Sequence, residues 1–188
     1  MVKCINRETL STTGMPLLPL NIQPPAEPLD PGPRSMNMRR LVKSSETNYQ
    51  YCCVEFVMGP NRMGPAPHIH THLDEISFVL EGAMGVLVGD TEYIIQAGGF
   101  SLRPHGLVHS LWNASDKPLR FFEMYCNQNF DEYLDELFNG IVPDMIKYNL
   151  PASDPGIAKR SADLHAEFGV TLFPERRQAI IDKYGLIP

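Results

Sequence analysis

Between residues 36 and 126, short runs rich in Val, Ile, Phe and Tyr alternate with "MGPNRMGPAP", "EGAMG", "VGDTE", "QAGG", "RPHG" and "NASDKP". This close punctuation constrains the fold more than any other feature. A parallel strand pair needs a crossover of about a dozen residues or more, and the spacers leave no room for crossover helices. Strands are predicted near 38–43, 50–58, 67–71, 75–81, 84–88, 91–96, 100–103, 107–113 and 118–126. Short strands joined by turn chemistry indicate a sandwich or barrel rather than a βαβ sheet.

The flanks differ from this block. Residues 1–35 carry seven prolines between Pro16 and Pro33, a density that forbids helix and predicts an extended arm. Leu17, Leu18, Leu20 and Ile22 give that arm an apolar side, which is expected to lie against the domain or a partner subunit. After residue 127 the period becomes helical. Phe130, Tyr133, Leu134, Leu137, Phe138 and Ile141 share one face, with Gly140 near the predicted end. A second helix is expected with Ser153 as N-cap and Leu164 and Phe168 on one face; a third runs from Pro174 to Gly185. The organisation expected is an arm over 1–35, a β-domain over 36–126, and a helical extension over 127–188 that covers one face of it.

With 188 residues, the chain is long enough for one well-buried core. Its net charge of −6 gives no general attraction to nucleic acid or an anionic membrane. No apolar run approaches the roughly 20 residues of a membrane span. The opening "MVKCINRETL" has no apolar stretch before a cleavage site, so a cytoplasmic protein is expected. Cys4, Cys52, Cys53 and Cys126 form no C-x-x-C pair and read as small buried side chains rather than a disulfide framework.

Five of the six histidines, His68, His70, His72, His105 and His109, fall within "PHIHTHLDEISFVLEG" and "GGFSLRPHGLVHSLWN". Strand residues two apart face the same way, roughly 6.6 Å apart at Cα, so two imidazoles can converge on one ion. Three in a row span about 13 Å, which is too far for all to reach one point. Spacing therefore allows either His68 with His70 or His70 with His72. Glu75 has the opposite parity to His70 and turns inward only if "THLD" bends. Glu75, Ser77 and Val79 then share one side of the next strand, with Ile76, Phe78 and Leu80 on the other. On a separate hairpin, Pro104 and Gly106 bracket a tight turn, and His109, Leu111 and Asn113 share a face. One inward histidine from that hairpin would complete three nitrogens and one oxygen.

These two stretches resemble the two cupin motifs. In the first, a His-x-His pair precedes a Glu, with a Gly seven residues beyond it; His68, His70, Glu75 and Gly82 fit. The resemblance selects His68/His70 as the pair. In the second, Gly98, Pro104, Gly106, His109 and Asn113 stand at the motif's spacing. One departure is Arg62, which occupies the place of the family's opening Gly; Gly64 is nearest. The resemblance covers about 60–113 and implies a mainly β, single-domain jelly-roll barrel with His68, His70, Glu75 and His109 as metal ligands. More loosely, the C-terminal helices resemble those of small quercetin-dioxygenase-like cupins. His72 and His105 are then rim residues, Trp112 and Phe78 are outward packing residues, and Glu123 and Tyr125 share a parity directed at the pocket.

Three imidazoles and a carboxylate suit divalent Fe, Mn, Ni, Co, Cu or Zn. Four protein ligands leave a position open on an ion that prefers five or six. The implied function is a metal-dependent dioxygenase acting on a small enol or hydroxy-ketone, flavonol-like, with Glu75 as both ligand and general base. The alternatives are isomerase, decarboxylase or lyase chemistry on a sugar or organic acid, and a cupin that binds a small ligand without turnover. The apolar face of Ile76, Phe78 and Leu80 predicts cover by helices or by a second subunit, and hence a homodimer.

Overall fold

Alternation of buried and exposed side chains sets the strands, and their pairing sets the barrel. The structure, a computed structural model, describes residues 27–188. The arm's Leu17, Leu18, Leu20 and Ile22, and Cys4, lie outside the described residues. Its last residues run beside the first strand: Asn37 Nδ2 donates to the Asp30 carbonyl at 2.9 Å, and Arg39 Nη1 to the Glu27 carbonyl at 3.2 Å.

The strands are β1 Met36–Val42, β2 Tyr51–Met58, β3 Arg62–Met63, β4 His68–His70, β5 Asp74–Glu81, β6 Ala83–Val88, β7 Thr91–Gln96, β8 Phe100–Arg103, β9 His109–Asn113 and β10 Leu119–Cys126. After them come α1 Phe130–Asp135, a π-helical turn Glu136–Ile141, α2 Val142–Lys147, α3 Pro155–Glu167, β11 Val170–Leu172 and α4 Arg177–Tyr184. One sheet has the order β1-β2-β10-β5-β8, the other β11-β4-β9-β6-β7, with β3 also paired to β9. All these pairings are antiparallel. From β7 to β10 the chain passes from one sheet to the other at every step, while β1/β2 and β6/β7 are hairpins within a single sheet; this is jelly-roll connectivity.

Val54, Phe56 and Met58 of β2, Val79 of β5, Met84 of β6, Leu111 of β9 and Phe121 of β10 fill the space between the sheets. Phe56 and Phe121 stack at 5.2 Å between ring centroids. Burying side chains of this size stabilises by about 1.5–3 kcal/mol each. Trp112 points the other way, as its parity predicts, into a second cluster with Met63, Leu87, Ile180, Ile181 and Leu186 beneath α4. Gly85 makes room for it: a Cβ there would fall 2.1 Å from the indole nitrogen. Among the described residues Cys52, Cys53 and Cys126 are free thiols. Burial pushes Cys52 up to about 12 and Cys53 to about 11, so neither presents a thiolate at neutral pH.

Several local expectations are corrected. Gly140 does not end the first helix; the chain continues through the π-helical turn into α2. Pro143 cannot donate a helical hydrogen bond, and the wider turn lies immediately before it while still burying Ile141. The N-cap of α3 is Asp154 rather than Ser153, because Pro155 occupies the first helical position and the Asp154 carboxylate accepts from the Gly156 and Ile157 amides. Gly185 does close α4, at φ 62°. The segment after 127 is not purely helical, since β11 returns to the barrel and pairs with β4. Nor do the helices cover one common face. Residues of α1 and the π-helical turn wall the cavity between the sheets, whereas α4 packs on the outer side of the second sheet. Among the described residues the outward side of β5 and β8 is left open, with Phe78 41% and Phe100 69% exposed.

Candidate metal centre

His68 and His70 occupy alternate positions of β4 and are both buried. The chain bends at Thr71–His72, which leaves His72 exposed and brings Glu75 inward at the start of β5. The Gly106 amide in the turn after Pro104 donates to the His70 carbonyl at 2.9 Å, tying the second hairpin to the first. His109 is then the direct cross-strand partner of His68.

One ligand atom from each of His68, His70, Glu75 and His109 lies within 4.8 Å of the others, and all four residues are buried. The Ala66 carbonyl accepts from His68 Nδ1 at 2.8 Å, and the Leu107 carbonyl from His109 Nδ1 at 2.9 Å. A carbonyl can only accept, so the proton is on Nδ1 and the Nε2 lone pair is free. His70 Nε2 lies 2.9 Å from Glu75 Oε1, and His109 Nε2 3.5 Å from Glu75 Oε2. Neither nitrogen is aligned for a hydrogen bond, so both are buried without a partner. Lone pairs brought together yet left unbonded suit a shared cation better than a hydrogen-bonded cluster. Burial first, and His109 next to it, push the His68 imidazole down to about 3, which keeps it neutral as metal ligation requires. The donor set thus fits a divalent transition metal.

Beside these atoms is a cavity of about 210 Å³. Phe56 and Leu111 line it from the sheets, Tyr133, Leu134, Leu137 and Phe138 from the helical segment, and Val170 from β11. The Phe130 ring meets His70 edge-on at 5.0 Å and stacks on Tyr133 at 4.4 Å, bracing that imidazole.

Residues 54–125 match the cupin domain family. The chain carries a cupin domain. No curated protein matches the chain. Among solved structures, a recombinant oxalate oxidase in complex with glycolate is 21% identical, over 52% of this chain and 54% of that one, with a TM-score of 0.44. The chain therefore spans about half the length of the oxalate oxidase. KdgF from Halomonas sp. is 16% identical over 52% of this chain and 84% of its own, with a TM-score of 0.46. The polyketide cyclase RemF from Streptomyces resistomycificus is 24% identical over 50% and 66%, with a TM-score of 0.45.

Within this cupin barrel the displaced glycine has a physical reason. Arg62 belongs to β3 and pairs with Asn113, while the Gly64 amide donates to the Leu111 carbonyl at 3.0 Å. A Cβ on Gly64 would lie 2.6 Å from that oxygen, so the close approach to β9 occurs at residue 64 and not at 62. Asn113 is fully buried and structural: its amide donates to the Gly59 and Lys117 carbonyls, and its oxygen accepts from Ser115. His105 is on the rim, where its ring faces Asp74 at 2.7 Å. His165 is half-buried and stacks on Tyr133.

Arg103 escaped the sequence reading. It is 1% exposed and touches both Glu75, at 3.0 Å, and Glu123. Ser77 Oγ donates to Glu123 Oε1 at 2.6 Å, and the Tyr125 hydroxyl donates to Glu123 Oε2. Burial alone would push the Glu75 carboxyl up; Arg103, then His109, outweigh it and hold it well below the usual carboxylate range. Burial pushes the Tyr125 hydroxyl well up, and the Glu123 charge adds to this, so the phenol keeps its proton. The missed signal was in "FSLR", where polar Ser101 and Arg103 turn inward and apolar Phe100 and Leu102 outward. Such inverted alternation marks a strand whose inner side is a site rather than a core.

Proposed function

We propose that this cupin is a metal-dependent, dioxygenase-like enzyme acting on a small enol or hydroxy-ketone. His68, His70, Glu75 and His109 would hold the ion. One observation carries the reading: free imidazole lone pairs and a carboxylate converge at the edge of a cavity whose walls are otherwise mostly carbon. A bound divalent transition metal supplies Lewis-acid polarisation of substrate oxygens and, if redox-active, a route for electrons to dioxygen.

The chain's own residues would do the rest. Phe130 keeps His70 oriented, and the Ala66 and Leu107 carbonyls fix the tautomers of His68 and His109. Glu75 would serve as ligand and base. With Arg103 against it, it is a weak base, matched to an acidic hydroxyl such as that of an enol. Tyr133, Leu134, Leu137 and Phe138 would press on the body of the substrate and exclude water. These apolar walls disfavour a polyhydroxylated sugar, which needs hydrogen-bonding partners around its ring.

The test is elemental analysis of the purified protein, followed by oxygen consumption with a panel of enols and hydroxy-ketones. The expected result is stoichiometric metal and oxygen uptake that stops when the metal is removed. Turnover unchanged in fully metal-free protein would refute the reading. Product formed without oxygen would select non-oxidative chemistry, and tight binding without product would select a ligand-binding role.

A further inference from the structure

The charged groups beside the cavity fix what charge its occupant must bring, and this inference rests on the metal-centre reading above. Glu75 and Glu123 contribute two negative charges and Arg103 one positive charge, all on side chains no more than 5% exposed. As metal ligands His68, His70 and His109 are neutral, and Ser77 and Tyr125 are uncharged hydroxyl groups bonded to Glu123. The floor therefore carries a net −1 before an ion enters and +1 once a divalent ion is held.

Among the described residues Arg103 is the cavity's single cationic side chain, and two carboxylates already engage it. The remaining wall offers no further charge: Phe56, Leu111, Leu134, Leu137, Phe138 and Val170 present carbon, and Tyr133 adds one neutral hydroxyl. An uncompensated buried charge is costly. A neutral occupant leaves +1 in place, a monoanion cancels it, and a dianion reverses it. Size adds a second restriction. At about 30 Å³ per molecule of liquid water, 210 Å³ is the share of about seven waters, or of one ring with a short substituent.

We propose that the cavity takes a small monoanion, a single apolar ring or branched carbon body with one carboxylate or enolate head. The head lies toward His68, His70, Glu75 and His109, and the body against the wall formed by α1 and the π-helical turn. Glu123 acts as a specificity-determining residue, because its charge decides whether the loaded floor stands at +1 or higher.

The experiment uses the full chain, made metal-free and titrated with Co²⁺ alone while visible absorption is followed. Benzoate, tropolone, benzamide and phthalate are then titrated calorimetrically into the cobalt-loaded protein. They represent a carboxylate monoanion, a hydroxy-ketone monoanion, a neutral isostere and a dianion. The expected result is that benzoate or tropolone binds at least about tenfold tighter than both benzamide and phthalate. Which monoanion is preferred distinguishes a carboxylate from an enolate head, and either preference supports the proposal. In Glu123→Gln, confirmed as folded by its thermal melt, the ratio of phthalate to benzoate affinity should rise about tenfold. Cobalt bound with benzamide as tight as both monoanions, or phthalate tightest in the unaltered protein, overturns this proposal and leaves the metal centre standing. Failure to bind cobalt overturns both.

Discussion

Arg103 Nη2 lies 3.0 Å from Glu75 Oε2, and the two residues are register partners across β8 and β5. The same guanidinium reaches Glu123 on β10, the strand on the other side of β5. Three adjacent strands thus meet in one buried ionic group, and one of its carboxylates also faces His70 and His109. The candidate ion site and the structural end of the barrel are joined at this point.

Removing the cation should therefore cost stability as well as function. Arg103→Met leaves two buried carboxylates without their partner and is expected to destabilise the metal-free protein by about 3–5 kcal/mol. Urea denaturation measures this. The double variant Arg103→Met/Glu123→Gln should recover part of the loss, because one of the stranded charges is gone. Equal destabilisation in both variants would show that the ionic group is not the cause.

Metal and stability should be linked. At about one hundred times Kd, a divalent transition metal is expected to stabilise the metal-free protein by about 2.7 kcal/mol, a rise of several degrees in Tm. His109→Ala should abolish the rise. His72→Ala should keep it, since that side chain is exposed beyond the bend. Differential scanning fluorimetry with and without metal separates the two.

Glu55 provides a pH dependence away from the centre. Burial pushes its carboxyl up, but hydrogen bonds from Arg120 and then Arg39 outweigh this and hold it below the ordinary range. A carboxyl depressed in the folded state contributes fully above its unfolded value of about 4.3. That contribution is lost as pH falls toward and through the lower folded value. Glu55→Gln should be less stable than the unaltered protein at pH 7, and the difference should shrink below about pH 4. A constant difference from pH 7 to pH 3 in urea titrations would contradict the assignment.

The cavity wall should be separable from the ion. Leu137→Trp adds bulk where the π-helical turn faces the cavity. Cobalt uptake is expected to stay within about twofold, while affinity for benzoate or tropolone falls at least about tenfold. Loss of cobalt uptake as well would place Leu137 in support of the ligands rather than of the occupant.

The open sheet face carries the assembly prediction. Phe78 and Phe100 are register partners with 41% and 69% of their surface exposed, and Leu102 beside them is 52% exposed. Among the described residues β8 ends its sheet, so a second copy packed there would cover both an apolar face and a strand edge. Light scattering should show a dimer, converted to monomer by Phe100→Asp without loss of cobalt uptake. A monomeric unaltered protein would refute it.

Where alternation is strict, the sequence was legible. In β5, Glu75, Ser77 and Val79 are buried and Phe78 is exposed, as period two demands. Trp112 and Leu111 separate into two clusters on opposite sides of β9 for the same reason. Short or composite elements were not legible. β11 has only three residues, too few to show a period, and its pairing with β4 depends on a chain reversal at Gly169. The π-helical turn kept the helical spacing of Leu134, Leu137 and Phe138, so the pattern located the face but not the break.

The sequence alone determined which residues could meet at an ion: strand parity narrowed the histidines to two alternative pairs, and the resemblance to the cupin motifs selected His68 and His70 with Glu75 and His109. It also determined that the first sheet has an apolar outer face. Tertiary structure decided what surrounds the candidate ion site. Arg103, Glu123 and Tyr125 are brought together by lateral pairing of β8, β5 and β10, and Leu137 and Val170 by segments that return from the far end of the chain. The physical reason is that parity is a local property of a few bonds. Charge balance and cavity volume are sums over side chains distant in sequence, and only the packed fold sets which of them are counted.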